Sequence, residues 1–94
     1  MHKRHTTTVV RKFYTDGRVE NVKEKMTLEE MQDFVGGYIE EVPTLNKRLS
    51  LIINEEGLLN NLPYNYKATE LVHPGTYVIG ALQGDVLLVE SGTL

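Results

Sequence analysis

The chain lacks several features that mark particular classes of protein. None of its 94 residues is cysteine, which excludes disulfides, a thiolate nucleophile and a zinc site built on cysteine. Its longest wholly apolar run, Val86-Leu87-Leu88-Val89, is too short to span a bilayer. No apolar run follows the basic residues near the N-terminus, so no secretory signal is predicted. The sequence therefore favours a single soluble intracellular domain over residues 1–94.

Positive charge is also scarce, and it is unevenly placed. The net charge is −3, yet residues 1–25 hold seven basic and three acidic side chains, while the remainder holds three basic and ten acidic ones. An acidic chain without a nucleic-acid-binding motif does not favour a nucleic acid as partner. The basic first quarter is suited to head-to-tail self-association or to attracting a small anionic ligand, but the favoured explanation is that the strands carry solvated charges on their outer face.

β-Branched and aromatic residues predict an α+β domain with one main, mainly antiparallel sheet that begins with a β-hairpin. Asp16-Gly17 is a typical hairpin turn between the first two strands. The final strand is predicted to pair with the segment before it, residues 75–82, as a hairpin or a bulged pair. The expected strands are residues 6–14, 18–23, 38–42, 47–54 and 86–90, and residues 1–5 are expected to be a flexible terminus.

The strongest local signal predicts a helix at about residues 28–36. Thr27 and Glu30 have the spacing of a capping box, in which each side chain accepts a hydrogen bond from the backbone of the other residue. Gly36-Gly37 ends the helix, because glycine enters the left-handed conformation without a steric cost. We expect this amphipathic helix to cover one side of the sheet.

The segment Asn54–Asn65 is the most unusual part of the chain. It combines four Asn, two Glu, three Leu, a Gly and a Pro. It is too long for a plain connector, and it holds too much Asn, Gly and Pro for an ordinary helix. We therefore predict a shaped surface loop, with short helical turns near residues 57–61 and 65–68. Such loops are where small domains usually keep their function.

Three sequence elements resemble a family of small domains carried by phages and large viruses. They are Val35–Glu40 (VGGYIE), Asn54–Gly57 (NEEG) and Leu62–Asn65 (LPYN), in that order before a terminal glycine-containing strand. The resemblance extends over roughly two-thirds of the chain. It implies an α+β fold, a viral or mobile-element origin and a place in the cytoplasm of the host cell. It implies no known activity, because the family is one of unknown function.

Patterns that would indicate catalysis or metal binding are weak. Glu40-Glu41 and Glu55-Glu56 are adjacent pairs, and neighbouring residues in a strand point to opposite faces. The three histidines do not have the spacing of a metal site. Ser50 and Ser91 have no base near them in the sequence. We therefore predict that the protein is not an enzyme and uses no cofactor and no metal.

The favoured function is the binding of a small anionic or nucleotide-like ligand, with sequestration of a nucleotide immune signal of the host as its most specific form. Asparagine amides match the edges of nucleobases, tyrosines stack on bases, and basic side chains meet phosphates. The immune-signal idea is an analogy from the phage-like resemblance. The candidate ligand-binding residues are Asn54, Glu55, Glu56, Asn60, Asn61, Tyr64, Asn65, Tyr38, Arg11 and Lys47, and Tyr66 is a further candidate for stacking.

The alternative function is protein–protein interaction or a structural role, with a host protein or a virion component as partner. Leu58, Leu59, Leu62 and Tyr64 would then form the contact, surrounded by a polar rim. The simplest structural explanation is that the leucines cover the sheet and the asparagines close turns. In either case we expect a homo-oligomer, because the exposed edges of a small sheet can pair with a second copy.

Overall fold

The computed structural model of the chain describes residues 5–57, 60–76 and 81–94. Five strands form one sheet in the order β2-β1-β5-β4-β3, and every neighbouring pair is antiparallel. This architecture confirms the predicted small α+β domain with one main sheet and one main helix. The elements in chain order are β1 (Thr7–Phe13), β2 (Val19–Met26), α1 (Leu28–Val35), β3 (Ile39–Pro43), β4 (Leu49–Asn54), α2 (Tyr66–Thr69), β5 (Val86–Glu90) and a final 3-10 helix (Ser91–Thr93).

The last strand, β5, lies at the centre of the sheet. It pairs with β1 along one edge and with β4 along the other. Both of its edges are therefore occupied, and the predicted hairpin between residues 75–82 and the last strand is wrong. Residues 77–80 of that prediction, and residues 1–4 of the predicted flexible terminus, lie outside the described residues.

The first two strands form the predicted hairpin around Asp16-Gly17. Gly17 has a positive φ of 92°, the conformation for which glycine is suited in a tight turn. The Asp16 carboxylate accepts hydrogen bonds from the backbone N–H and from Nε of Arg18, each at 2.9 Å. The backbone bond, followed by the side-chain bond, lowers the pKa of the Asp16 carboxyl.

Helix α1 covers one side of the sheet, here called the helix face. Its capping box is formed as predicted: Glu30 N–H donates to Thr27 Oγ1 at 3.2 Å, and Thr27 N–H donates to Glu30 Oε1 at 2.9 Å. Gly36 closes the helix with a φ of 87°. The buried residues on this face are Val9, Met26, Met31, Val35, Ile52, Leu87 and Val89. Within the described ranges, no helix has the length and apolarity needed to cross a membrane.

The other side of the sheet, the loop face, is covered by the chain between β4 and β5. The described part of this covering segment comprises residues 55–57, 60–76 and 81–85 and includes α2. Its Ala68 and Leu82 pack against the apolar side chains of the sheet. The sheet contributes Phe13, Val42, Leu51, Val86 and Leu88 to this second cluster. The domain is therefore a three-layer arrangement of helix, sheet and covering segment.

The side chain of Asn65 fastens the covering segment to the sheet. Its Nδ2 donates to the carbonyl oxygens of Phe13 and Gly84, both at 3.0 Å. Its Oδ1 accepts from Ala68 N–H at 3.3 Å and so caps the N-terminus of α2. The residue is only 2% exposed, so these bonds replace water inside the protein.

A register shift in β1 decides which side chains reach the loop face. Between Val9 and Arg11 the chain of β1 advances by two residues, whereas β5 advances by only one, from Val89 to Leu88. Val9 therefore lies on the helix face, while Arg11 lies opposite Leu88 on the loop face. A regular strand would place Val9 and Arg11 on the same face, because side chains alternate.

The contacts of Asn65 generate a prediction about stability. Replacing Asn65 by Ala removes the amide group that donates to the buried carbonyl oxygens of Phe13 and Gly84. It also removes the cap of α2. We expect the free energy of unfolding to fall by about 3 kcal/mol. Urea denaturation followed by circular dichroism measures this loss.

Two further variants separate the roles of the Asn65 side chain. Asn65→Asp keeps the cap acceptor but turns a carboxylate oxygen towards the two carbonyls, so it should destabilise at least as much as Asn65→Ala. Asn60→Ala, in the same loop but with an exposed side chain, should change the stability by no more than about 0.5 kcal/mol. Equal effects of Asn60→Ala and Asn65→Ala would contradict the proposed fastening.

Candidate functional site

The side chains of two predicted ligand-binding asparagines are used inside the protein. Asn65 makes the bonds described above. Asn54, which is 4% exposed, donates from Nδ2 to the carbonyl of Val35 at 3.0 Å and accepts from Glu56 N–H at 2.7 Å. These bonds join the end of β4 to the end of α1 and to the following turn. Both side-chain amides are therefore used in internal hydrogen bonds, and other residues form the surface of the loop.

The exposed part of the predicted loop is held in shape by its own backbone. Asn60 N–H donates to the carbonyl of Glu56 at 2.9 Å, and Leu62 N–H donates to that of Gly57 at 3.1 Å. Asn61 has a left-handed φ of 54°, which is uncommon for a residue other than glycine. The side chains of Glu55, Glu56, Asn60 and Asn61 are exposed, and Leu58 and Leu59 lie outside the described residues.

Exposed tyrosines flank this loop. The rings of Tyr64 and Tyr66 form a pair with centroids 5.6 Å apart and an interplanar angle of 39°, here called the tyrosine pair. Their exposed fractions are 50% and 67%. Tyr38, 69% exposed, lies where β3 begins, and its carbonyl accepts from Glu55 N–H at 2.9 Å. The aromatic candidates therefore lie at the end of the sheet where β4 finishes.

The basic candidates Arg11 and Lys47 lie away from the loop. Lys47 precedes β4, and Asn54 is its last residue, so the six residues of β4 separate them by about 20 Å. Arg11 lies in the middle of the sheet, because its neighbours across the strands are Asn21 and Leu88. A small ligand cannot contact Lys47 and the asparagine-rich loop at once, and the ten predicted residues do not form one site.

A cavity of about 270 Å³ on the loop face brings Arg11 together with residues that sequence reasoning missed. We call it the turn pocket, because one wall is the turn between β3 and β4. The pocket is lined by four leucines and two charged residues: Leu45, Leu49, Leu71, Leu88, Arg11 and Glu70. Of these six residues, only Arg11 is a candidate from the sequence, and Glu70 in particular has no local sequence signal.

The wall made by the turn has a fixed conformation. Thr44 Oγ1 lies 2.9 Å from the carbonyl oxygens of Asn46 and Leu49 and accepts a hydrogen bond from Asn46 N–H at 3.1 Å. Asn46 Oδ1 accepts from Arg48 N–H at 2.9 Å. The turn consequently holds Leu45 with 73% of its surface exposed, at the mouth of the pocket. A large apolar side chain held in water in this way is available for contact with a ligand.

Arg11 is half-buried, and only part of the hydrogen-bonding capacity of its guanidinium is used within the described residues. Its Nε donates to Asn21 Oδ1 at 2.8 Å, and its Cζ lies 5.9 Å from the centre of the Phe13 ring. Among the residues that the structure describes, the ion pairs are Lys12–Glu24 and Arg18–Asp16, so Arg11 has no carboxylate partner there. The Glu70 carboxylate, which lines the same pocket, is likewise in no ion pair within those residues.

Ser50 and Ser91, which lack a base in the sequence, are joined to a carboxylate by the fold. Ser50 Oγ donates to Glu41 Oε2 at 2.7 Å and lies 2.7 Å from Ser91 Oγ. His73 lines the same depression, but its Nδ1 accepts from Gly75 N–H at 2.9 Å. With Nδ1 occupied by this bond, His73 does not act as a base for Ser50 or Ser91 through that atom.

The described ranges contain no group of three or more His, Cys, Asp or Glu residues placed to hold a metal ion. The turn pocket therefore offers one guanidinium, one carboxylate and four leucines as its recognition groups. These groups can hold a small molecule that carries charge and an apolar part.

Comparisons with known proteins find one match. No curated protein and no solved structure matches the chain. Residues 8–93 match a family described as a domain of unknown function, DUF3846, and the match extends from β1 to the final 3-10 helix. It therefore includes the sheet, both helices and the turn pocket. The chain belongs to the DUF3846 family of domains of unknown function.

Proposed function

We propose that the protein is a non-enzymatic binding domain that holds a small anionic ligand in the turn pocket. The observation that carries the proposal is Arg11, a half-buried residue that lines an apolar cavity and has no carboxylate partner among the described residues. The nearby leucines supply an apolar wall for the rest of the ligand. Such a combination of apolar lining and a few polar groups is typical of small-molecule sites.

Electrostatics favours an anion at Arg11. A guanidinium has five N–H donors, and the bond from Nε to Asn21 uses one of them. Carboxylates and phosphates accept two parallel bonds from the same fork, and these charge-assisted bonds are among the strongest in proteins. Partial burial strengthens the attraction further, because less water screens the charge. The bond to Asn21 also orients the side chain before the ligand arrives.

The size of the pocket limits the ligand. Its volume of about 270 Å³ lies just below the range of about 300–1,000 Å³ that is common for ligand sites, which favours a mononucleotide or a smaller molecule. A nucleotide meets the chemistry with its phosphate at Arg11 and its base against the leucines. Sequestration of a host nucleotide signal by a viral or phage accessory protein is the most specific form of this proposal, and it is an analogy from the resemblance to phage-borne domains.

The role of Arg11 is tested by calorimetric titration of the wild type and of Arg11→Gln with AMP, cyclic AMP and benzoate. We expect at least one of these anions to bind the wild type. Its affinity for Arg11→Gln should be lower by about tenfold or more, because a charge-assisted hydrogen bond is lost. The same anion should raise the melting temperature of the wild type by about 10 °C at a hundredfold excess over its Kd.

Lys23→Gln is the matched control for Arg11→Gln. It removes the same charge from an exposed residue of β2, outside the turn pocket. Binding should be nearly unchanged, since only long-range attraction is reduced. If both variants weaken binding alike, or if no carboxylate or phosphate compound tested, amino acids included, binds the wild type, the proposal for the turn pocket is wrong.

A second function, interaction with another protein molecule, is favoured by the tyrosine pair. Tyrosines are common at the centre of protein interfaces, and this pair stands exposed beside a loop of defined shape. Leu62, another predicted contact residue, is less suited, because its Cδ1 lies 2.8 Å from the point where a Cβ on Gly84 would stand. That leucine packs onto the backbone of the covering segment.

The proposed partner at the tyrosine pair is a second copy of the chain. Pairing through the sheet edges is less favourable, because β2 carries Glu20, Lys23, Glu24 and Lys25 and β3 ends at Pro43. Charged side chains and proline are the features by which edge strands avoid pairing. We therefore expect the contact between two copies to form through the exposed tyrosine rings and not through the unpaired backbone of the edge strands.

Replacing both tyrosines of the pair tests the interaction. If the pair forms the contact between copies, Tyr64→Ser with Tyr66→Ser should weaken the dimer by about thirtyfold or more, as loss of an interface hot spot does. Sedimentation over a range of concentrations measures the dimer dissociation constant. Tyr38→Ser, which removes an equally exposed tyrosine from β3's start, is the control. A wild type that sediments as a monomer at every concentration contradicts self-association.

A further inference from the structure

We infer that the ligand of the turn pocket is a small zwitterion, an α-amino acid with an apolar side chain. This inference rests on the proposed function, since it concerns the same pocket. Its starting point is that the pocket carries two opposite charges, Arg11 and Glu70, that are not in an ion pair with each other. Each charge is then available to a group of the ligand.

The two charges belong to different layers of the domain. Arg11 rises from β1 in the sheet, and its Nε is bound to Asn21. Glu70 follows α2 in the covering segment, and its N–H donates to the carbonyl of Tyr66 at 3.3 Å. The next residue, Leu71, is held by a bond from its N–H to the carbonyl of Ala68 at 3.0 Å. The backbone thus fixes the positions from which the two charged side chains extend.

This arrangement selects against ligands with negative charge alone. A carboxylate or phosphate bound at Arg11 is attracted there, but a second negative charge is repelled by Glu70. A ligand with an ammonium group beside its carboxylate satisfies both side chains. The ammonium group donates charge-assisted hydrogen bonds to the Glu70 carboxylate.

The walls and the size of the pocket specify the remainder of the ligand. The same pocket is lined by Leu45, Leu49, Leu71 and Leu88, which favour an apolar group. A volume of about 270 Å³ admits one such side chain together with the charged groups, and a peptide or a dinucleotide exceeds it. An α-amino acid with an aliphatic or aromatic side chain has all three features.

The test is a titration with matched sets of ligands. L-Leucine and L-phenylalanine are compared with the acids that lack the amino group, 4-methylpentanoate and 3-phenylpropanoate, and with the amines that lack the carboxylate, 3-methylbutylamine and 2-phenylethylamine. For the wild type, at least one amino acid should bind about tenfold or more tightly than its acid and its amine. Calorimetry in a phosphate-free buffer that contains neither carboxylates nor primary amines gives the affinities.

Variants assign the two charged groups. Glu70→Gln should weaken the amino acid about tenfold or more and leave the matching acid unchanged or improved, because repulsion is removed. Arg11→Gln should weaken both the amino acid and the acid. Glu40→Gln, which removes an exposed acidic charge from β3 outside the pocket, should leave all affinities within about twofold. Circular dichroism confirms that each variant is folded.

The outcomes separate this inference from the function on which it rests. If an acid binds as tightly as its amino acid, and Glu70→Gln does not change the affinity for either, the inference of a zwitterionic ligand is wrong. The proposal of anion binding at Arg11 then still stands. If only AMP or cyclic AMP binds, and Arg11→Gln weakens its binding, the same conclusion holds. If no amino acid, carboxylic acid or nucleotide binds the wild type, both proposals are overturned. Binding of an amino acid that requires both Arg11 and Glu70 supports both.

Discussion

The domain is organised around a strand that is apolar on both of its faces. The side chains of β5 from Val86 to Val89 are all buried, and the strand pairs along both edges with strands that precede it by some thirty residues or more. A strand of this kind needs a cover on each side, because neither of its faces can remain in water. Helix α1 supplies one cover, and the chain between β4 and β5 supplies the other.

The second cover explains why so much of the asparagine-rich loop is structural. An irregular segment packed on a sheet brings backbone carbonyls into places where water cannot reach them, and these must find donors. The Asn65 amide supplies two donors to such carbonyls, and the Asn54 amide supplies one at the end of α1. The same side chains that suggest recognition of a ligand are those best able to satisfy a buried backbone, so composition alone does not separate the two roles.

The turn pocket lies where this cover meets the sheet, with Leu71 on one side and Leu49 and Leu88 on the other. Packing of an irregular segment against a twisted sheet leaves a cavity at their border, and the charges at that border come from both layers. Anion binding and a zwitterionic ligand are both proposed because charged residues of the two layers line one cavity at this border. Membership of a family of unknown function does not name a ligand, so the chemistry of the pocket is the basis for proposing one.

Local sequence signals predicted the local structure well. The capping box at Thr27, the glycine that ends α1 and the Asp16-Gly17 hairpin are all present, and the strand boundaries agree to within about three residues. The helical turn predicted at residues 65–68 is α2, displaced by one residue. Each of these features depends on a few neighbouring residues, whose backbone preferences and hydrogen bonds are written in the sequence.

The sequence by itself thus determined the elements of an α+β domain, the absence of cysteine chemistry and the defined shape of the loop. Only the tertiary structure decided that β5 enters the middle of the sheet, because that choice depends on contacts between distant residues. The register shift in β1 likewise carries Arg11 to the loop face, where it meets Glu70 from a segment almost sixty residues away. A site assembled from two layers in this way leaves no periodic or local pattern, since its residues are neighbours only after the layers have packed.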